Sequence, residues 1–379
     1  MRIFKSILSF IVLSFAVTLC SCHIDMTNSS NDDSGNGEET PAQSSYKAGD
    51  IALAKIKIGD IEYENTAQVY VTGKDGATIQ GKTNTDNNAG VFIEGRKVSL
   101  SPFIMSKYEV TQELYEAVMT NQTVTVNGES KTLAAAPFYC TADNNDCKTL
   151  LTGEEQKYRA AEDMTWYDAV YFCNALSEKT NLKKAYNITY IEVNSDGNIT
   201  DAIVRLVKNA NGYRLPTDAE WEFAARGGDP SKPAWDYTFS GAALATGTTW
   251  SDTQSNGKNT GLDSVGWYWY NTASGTTSDN VPSKGTAGYG THHVGKKAAN
   301  ALGIYDMSGN VWEWCYDWSG GIETGEETNP TGPSYGSNRV FCGGGWGSNA
   351  NKCSVCQRTA AVPFGWYNYI GFRVVRSAQ

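Results

Sequence analysis

Histidine is nearly missing from this 379-residue chain, which has three, at positions 23, 292 and 293. Two adjacent histidines cannot readily supply a facial triad to one metal, so histidine-rich metal chemistry is excluded. Charge is also thin, at 19% of residues, and the balance is acidic, with a formal net charge of −10. No Lys/Arg cluster interrupts it, and phosphate neutralisation needs grouped cations, so no nucleic acid partner is expected. Acidity of this kind favours solubility and draws cations. There is no glycine-rich phosphate loop, no Ser/His/Asp set inside a motif, and no internal repeat. The apolar run Ile7 to Leu19 is too short to span a bilayer as a stable helix.

Aromatics and glycine are plentiful: 11 Trp, 21 Tyr, 12 Phe and 38 Gly. The aromatics can fill an ample core. Abundant Gly, Asn, Thr and Ser point to a loop-rich, irregular domain rather than a helical one. No second composition regime follows the first fifty residues, so one large domain is expected over residues 49–379.

The N-terminus reads as an address. Arg2 and Lys5 precede the apolar run, giving a signal peptide over residues 1–21. Leu19-Cys20-Ser21-Cys22 resembles the lipobox of bacterial lipoproteins, with Cys22 as the lipidated residue; the alternative is plain secretion with cleavage nearby. His23 and Ile24 supply no acidic retention signal, so the outer membrane or cell surface is the expected location. A multiply acylated cysteine would anchor the chain firmly to a membrane. Residues 22–48 form a tether, since Asn28 to Ser45 is rich in Ser, Asn, Asp, Gly and Glu and lacks apolar periodicity.

Export would put the remaining cysteines in a disulfide-permissive compartment. Cys140 and Cys147 flank a short polar loop and read equally as a local bridge or as two separate thiols. Cys173 falls on an apolar helix face and reads as a buried thiol. Cys315, Cys342, Cys353 and Cys356 cannot be paired from sequence.

Alternating runs at Ile51–Ile58, Ala67–Val71 and Val91–Leu100 predict strands broken by turns. Helices are expected after three N-cap threonines: Thr111, Thr165 with Asp168, and Thr217 with Glu220 as a capping box. Lys184 to Asn211 reads as a hairpin. Asp229 to Asn300 is glycine- and threonine-rich, with long loops of the kind that carry function.

Five segments in order carry a family resemblance. They are Phe103-Ile-Met-Ser-Lys-Tyr-Glu-Val-Thr111, Met164-Thr-Trp-Tyr-Asp-Ala-Val170, Gly212-Tyr-Arg-Leu-Pro-Thr-Asp-Ala-Glu-Trp-Glu-Phe-Ala-Ala-Arg226, Gly303-Ile-Tyr-Asp-Met-Ser-Gly-Asn-Val-Trp-Glu-Trp314, and the closing segment from Arg339. Together they resemble the formylglycine-generating-enzyme (sulfatase-modifying factor) family. The resemblance implies an α+β fold of formylglycine-generating-enzyme type, a C-type-lectin-like fold with few helices, short strands and long loops. It also implies an oxidase that converts a substrate cysteine with copper and oxygen, using two thiolates as soft ligands for Cu(I). Against Gly343-Gly-Gly-Trp346, the second thiolate position falls on Cys353 and the first on Ser348, which is a poor Cu(I) ligand. Cys356 has the wrong spacing to replace it. Copper therefore belongs to this chain only if it is an oxidase.

The resemblance further implies a calcium-binding turn at Asn310 and Glu313, with hard oxygen ligands. The alternative is that both residues hydrogen-bond the loops while Trp312 and Trp314 fill the core. His292-His293 reads as a polar loop. Arg214, Glu220, Arg226, Arg358 and Arg373 read as internal ion-pair or capping partners.

Some proteins of this fold are diversified by retroelements at adenines of a template, and the segment from about 339 to 379 resembles such a target. The fixed frame would be Gly343, Gly344, Trp346, Cys353, Ser354, Val355, Arg358, Pro363, Ile370, Gly371, Phe372 and Arg373. Between them lie Gly347, Ser348, Asn349, Asn351, Lys352, Cys356, Gln357, Thr359, Ala360, Ala361, Val362, Phe364, Trp366, Tyr367, Asn368 and Tyr369, all reachable from adenine-containing codons. These are the candidate ligand-binding residues, and exposed aromatics make good anchors there. An ordinary static loop is the alternative. The reading is a surface lipoprotein that binds a protein or glycan ligand through this face. A divergent oxidase and a purely structural surface protein are the alternatives.

Overall fold

A computed structural model describes residues 52–53, 55–82, 90–249, 253, 257–274 and 282–378. The signal peptide, Cys22 and the tether lie outside the described residues.

Three helices start where their caps were expected. In α1 (Gln112–Met119) the Thr111 hydroxyl accepts from Leu114 N–H. In α2 (Trp166–Lys179) and α3 (Asp218–Ala225) full capping boxes form, Thr165 with Asp168 and Thr217 with Glu220. Each such cap is worth about 1 kcal/mol, because it satisfies amide donors that no helical turn can reach. A fourth, short helix, α4 (Thr260–Val265), is capped by Asn259 inside the glycine-rich stretch.

The strands are short. One antiparallel sheet runs Ala52–Leu53, Gln68–Tyr70, Phe103–Ser106 and Val375–Ser377, so the C-terminus closes on the start of the domain. A second runs Arg358–Ala361, Arg339–Cys342, Trp312–Trp318 and Ile370–Gly371, the last pair parallel. A third joins Gly325–Thr328, Arg96–Leu100 and Ala77–Gln80. The run from Val91 does not stay extended throughout. A turn at Gly95, with φ +80°, precedes the strand at Arg96. The hairpin from Lys184 pairs Tyr186–Val193 with Ile199–Leu206, bulged near Tyr190.

The core gathers on α2 and α3. Trp166, Phe172, Tyr115 and Phe372 pack together around α2, and Trp221 and Phe223 anchor α3 beneath the first and second sheets. Each large side chain so buried contributes about 1.5–3 kcal/mol. The expected ion pairs form internally. Arg214 grips Glu220 at 2.6 and 2.7 Å, Arg226 pairs with Glu222 at 2.7 Å, and Arg358 with Asp218 at 2.7 Å. Arg373 clasps Glu313 at 2.6 and 2.7 Å with both side chains fully buried. These elements hold the segment from Arg339 to Arg373 at both ends.

Candidate functional site

The closing segment leaves the second sheet at Cys342 and turns on two glycines. Gly343 has φ +97° and Gly344 has φ +74°. A Cβ on Gly344 would meet Cys353 Sγ at 2.5 Å and backbone atoms of Cys353 and Lys352 at 2.8 Å, so only glycine fits. Trp346 N–H then donates to Asn310 O at 2.7 Å, and a 3₁₀ turn at Ala350–Cys353 folds the chain back. Strand Arg358–Ala361 follows, then a loop to Ile370, where the chain rejoins the sheet.

Burial along this segment follows the division drawn from the sequence. Every frame residue is buried except Arg358, which is partly exposed through its pair with Asp218. None of the sixteen candidate face residues is buried. Gly347, Lys352, Thr359, Phe364, Trp366 and Tyr369 are exposed, and Ser348, Asn349, Asn351, Cys356, Gln357, Ala360, Ala361, Val362, Tyr367 and Asn368 are partly exposed.

The loops are held by their backbone. Ser348 O accepts from Trp269 N–H at 2.9 Å, Tyr367 O from Asp163 N–H at 3.2 Å, and Tyr369 O from Trp312 N–H at 2.8 Å. Asn368 O accepts from the Trp346 indole at 3.0 Å. Substituting a side chain leaves those carbonyls in place, so much of the loop path is set by backbone bonds, with the Ser348 hydroxyl as a side-chain staple. Trp312 and Trp346 tie the Gly347–Asn349 turn to the Tyr367–Tyr369 loop, and Tyr289 packs edge-on to Trp346 at 5.0 Å between centroids. Tyr367 and Tyr369 lie 5.5 Å apart beside them. Cys356 and Gln357 belong to a different neighbourhood. Val355 N–H bonds Thr238 O, and the Cys356 thiol lies in the field of Arg226. Residues 347–349 and 367–369 thus lie at the tryptophan-lined loops, Cys356 and Gln357 follow Val355 elsewhere, and Thr359–Ala361 run along the sheet edge.

The residues at the copper positions do not fit that metal. Ser348 Oγ accepts from Trp312 Nε1 and from Gly345 N–H, each at 3.1 Å, which fixes it as a turn-stapling hydroxyl. Cys353 is fully buried, its thiol 3.7 Å from Asn349 O, and burial pushes its pKa well up, away from the thiolate a soft metal needs. Cys356 Sγ sits 3.7 Å from Ser354 Oγ.

The calcium positions do not fit either. Asn310 Oδ1 accepts from His292 N–H at 2.8 Å and its amide nitrogen donates to Glu109 at 2.6 Å. Glu313 accepts from Arg373 and, at 2.7 Å, from the Trp221 indole. Both side chains are consumed by internal partners, and among the described residues no group of three or more His, Cys, Asp or Glu side chains could hold a metal ion. Asn310 meets the alternative, bonding loop backbone at His292, whereas Glu313 bonds the Arg373 and Trp221 side chains.

His292-His293 corrects the polar-loop expectation. His292 is fully buried, stacked on Trp267 at 3.8 Å, 2.8 Å from Glu154 through Nδ1 and 3.0 Å from Thr272 O through Nε2. Burial lowers its pKa despite the Glu154 partner. The chain is locally apolar here only in space, because Trp267 arrives from another loop. Sequence reading also missed a buried carboxylate group, Glu109 and Asp306 beside Glu313, which share Arg373. Burial raises Glu109 and lifts Asp306 to about 6. It missed Arg339 as well, whose guanidinium lies 3.8 Å over Trp166 and 3.4 Å over Trp318.

Residues 57–378 match the sulfatase-modifying factor enzyme 1-like domain. The chain belongs to that family. Chaperone protein LppX of Paenibacillus barcinonensis is 34% identical over 325 residues, 81% of this chain and 95% of that one. The formylglycine-generating enzyme of Thermomonospora curvata is 33% identical over 172 residues, 43% of this chain and 48% of that enzyme. The chain therefore spans about half the length of that enzyme. Among solved structures, Treponema denticola variable protein 1 superposes with a TM-score of 0.58 at 30% identity, covering 89% of this chain and 100% of the other. CarF does so with a TM-score of 0.50 at 26% identity, over 83% and 99%. The fold is the α+β, formylglycine-generating-enzyme type expected from the sequence, with few helices and many short strands.

Proposed function

We propose that this family scaffold serves as an exported bacterial lipoprotein that binds a protein or glycan ligand through its C-terminal loops. The observation that carries the reading is the burial pattern of one segment. The sixteen candidate face positions are all at least partly exposed, while the frame positions other than Arg358 are buried. Phe364, Trp366 and Tyr369 then stand as exposed aromatic anchors on a rigid base. The similarity to a protein titled a variable protein supports diversification. The similarity to a chaperone protein supports a polypeptide ligand. Cys22 would provide the membrane anchor.

The test is sequencing of the 3′ end of the gene in independent isolates. Substitutions confined to the candidate positions, with Gly343–Gly344 and Ile370–Arg373 constant, would uphold the reading. A uniform segment would remove diversification. The second reading, a divergent oxidase acting through Cys353, has family membership in its favour and Ser348 and the burial of Cys353 against it. Cu(I) titration of wild type and Cys353→Ser decides it. Equal, weak uptake by both ends the oxidase reading.

A further inference from the structure

Cys140 and Cys147 belong to neither the frame nor the face, and their surroundings suit thiol chemistry. Both side chains are fully buried at the two ends of the loop Thr141–Asp146, and the Cys147 thiol lies 3.7 Å from Tyr139 O. They are not bridged in this structure. Beside them lies Arg159, fully buried. Its guanidinium donates to three backbone carbonyls, Thr291 O at 2.7 Å, Cys147 O at 2.6 Å and Tyr289 O at 3.2 Å, and to the Gln156 amide at 3.4 Å. None of those acceptors is an anion. A buried cation so placed favours negative charge on its neighbours, which are the Glu154 carboxylate and the thiols of Cys140 and Cys147. The neighbouring Cys140 first, and Arg159 after it, hold the Cys147 thiol below its ordinary value, while burial pushes Cys140 up.

The same Arg159 connects the pair to the candidate face. It holds Tyr289 O, and the Tyr289 ring packs on Trp346. Between them Gly290, at φ +106°, passes so close that a Cβ would collide with Cys140 Sγ and come within 3.1 Å of Cys147 Cβ. The backbone of this wall therefore rests against the Cys140 sulfur and the Cys147 side chain.

We propose that Cys140 and Cys147 are a redox-active dithiol whose oxidation to a disulfide resets the Tyr289 wall of the tryptophan-lined loops. The oxidant is a small-molecule or protein disulfide. The Cys147 thiolate attacks one of its sulfurs, forming a mixed disulfide and expelling a thiolate that takes up a proton. Cys140 then loses its proton to water and attacks the Cys147 sulfur, expelling the second thiol. Two protein thiols are oxidised and one disulfide is reduced to two thiols. Because both sulfurs are buried, the reaction proceeds through local opening of the Thr141–Asp146 loop. The inference does not depend on the binding reading, since its readouts need no ligand.

The experiment equilibrates the full chain with glutathione disulfide or with dithiothreitol. Peptide mapping without reduction locates bridges, and hydrogen exchange is followed at Tyr289–His292. The expected result is a bridge joining Cys140 to Cys147 in the oxidised sample and a several-fold change in exchange at Tyr289–His292. The Cys147→Ser variant should lose both effects while keeping the wild-type circular dichroism. If Cys147→Ser does not fold, the wild-type oxidised and reduced samples still decide the matter. Thiols that stay unbridged at redox equilibrium, or a bridge elsewhere such as Cys315 to Cys342, would overturn the dithiol. A Cys140–Cys147 bridge with unchanged exchange at Tyr289 would overturn the coupling to the face.

Discussion

Gly344 and Gly347 stand three residues apart, and the structure gives them opposite sensitivities to one added methyl group. At Gly344 an alanine would adopt φ +74°, at a cost of roughly 1–2 kcal/mol for an L side chain in the left-handed region. Its Cβ would also lie 2.8 Å from backbone atoms of Cys353 and Lys352, which are not flexible side-chain ends. Such overpacking costs about 1–3 kcal/mol more. Gly344→Ala should therefore lose about 2–5 kcal/mol. At Gly347 a Cβ meets nothing within 4 Å and the residue is exposed. Gly347→Ala, and also Gly347→Tyr, should stay within about 0.5 kcal/mol of wild type. Urea unfolding followed by tryptophan fluorescence measures both, provided the slope with denaturant is unchanged. A neutral Gly344→Ala, or a Gly347 variant losing more than about 1 kcal/mol, would refute the division between frame and face on which the functional reading rests.

Four further outcomes are expected. Glu313→Gln should cost about 3–5 kcal/mol in the same assay, because it removes the carboxylate that clasps buried Arg373 through two hydrogen bonds. Arg339→Ala should cost about 1–3 kcal/mol and alter near-ultraviolet circular dichroism, since its guanidinium is sandwiched by Trp166 and Trp318. Asp306 gives a pH dependence of definite sign. Burial raises it from 3.8 to about 6, so between those values the native state keeps a proton that the unfolded chain has released. Its contribution thus lowers stability as pH rises from about 4 to about 6, by at most about 3 kcal/mol. Asp306→Asn, which keeps an acceptor for Gly295 N–H and tolerates φ +59°, should gain on wild type across that window and be level with it below pH 4. An unchanged difference from pH 4 to pH 7 would count against that assignment. Finally, Phe364→Ala and Trp366→Ala should leave stability within about 0.5 kcal/mol and weaken binding of any ligand of the face about tenfold or more.

The sequence by itself determined the family, the helix starts and the identity of the frame. These are local matters. A threonine followed three residues later by a carboxylate caps a helix wherever it stands, and Gly343–Gly344 specify a positive-φ turn with no help from distant residues. The hairpin after Lys184 and the ion pairs of Arg214 and Arg226 are short-range for the same reason. Tertiary structure alone decided what the polar residues of the site do. The resemblance left Asn310 and Glu313 open between cation ligands and hydrogen-bonding residues, and in the fold His292, Arg373 and Trp221 reach them from residues far along the chain. His292 looked like a surface residue until Trp267 and Glu154 closed over it. The sixteen face residues fall within one segment of the sequence, 347–369. In space Trp312 and Trp346 gather only the turn after Gly347 and the loop before Ile370, while Cys356 and Gln357 lie elsewhere. Short-range backbone chemistry repeats wherever its motif occurs. The partner of a buried polar group is set by which distant segment the packed core brings against it, and no spacing along the chain encodes that.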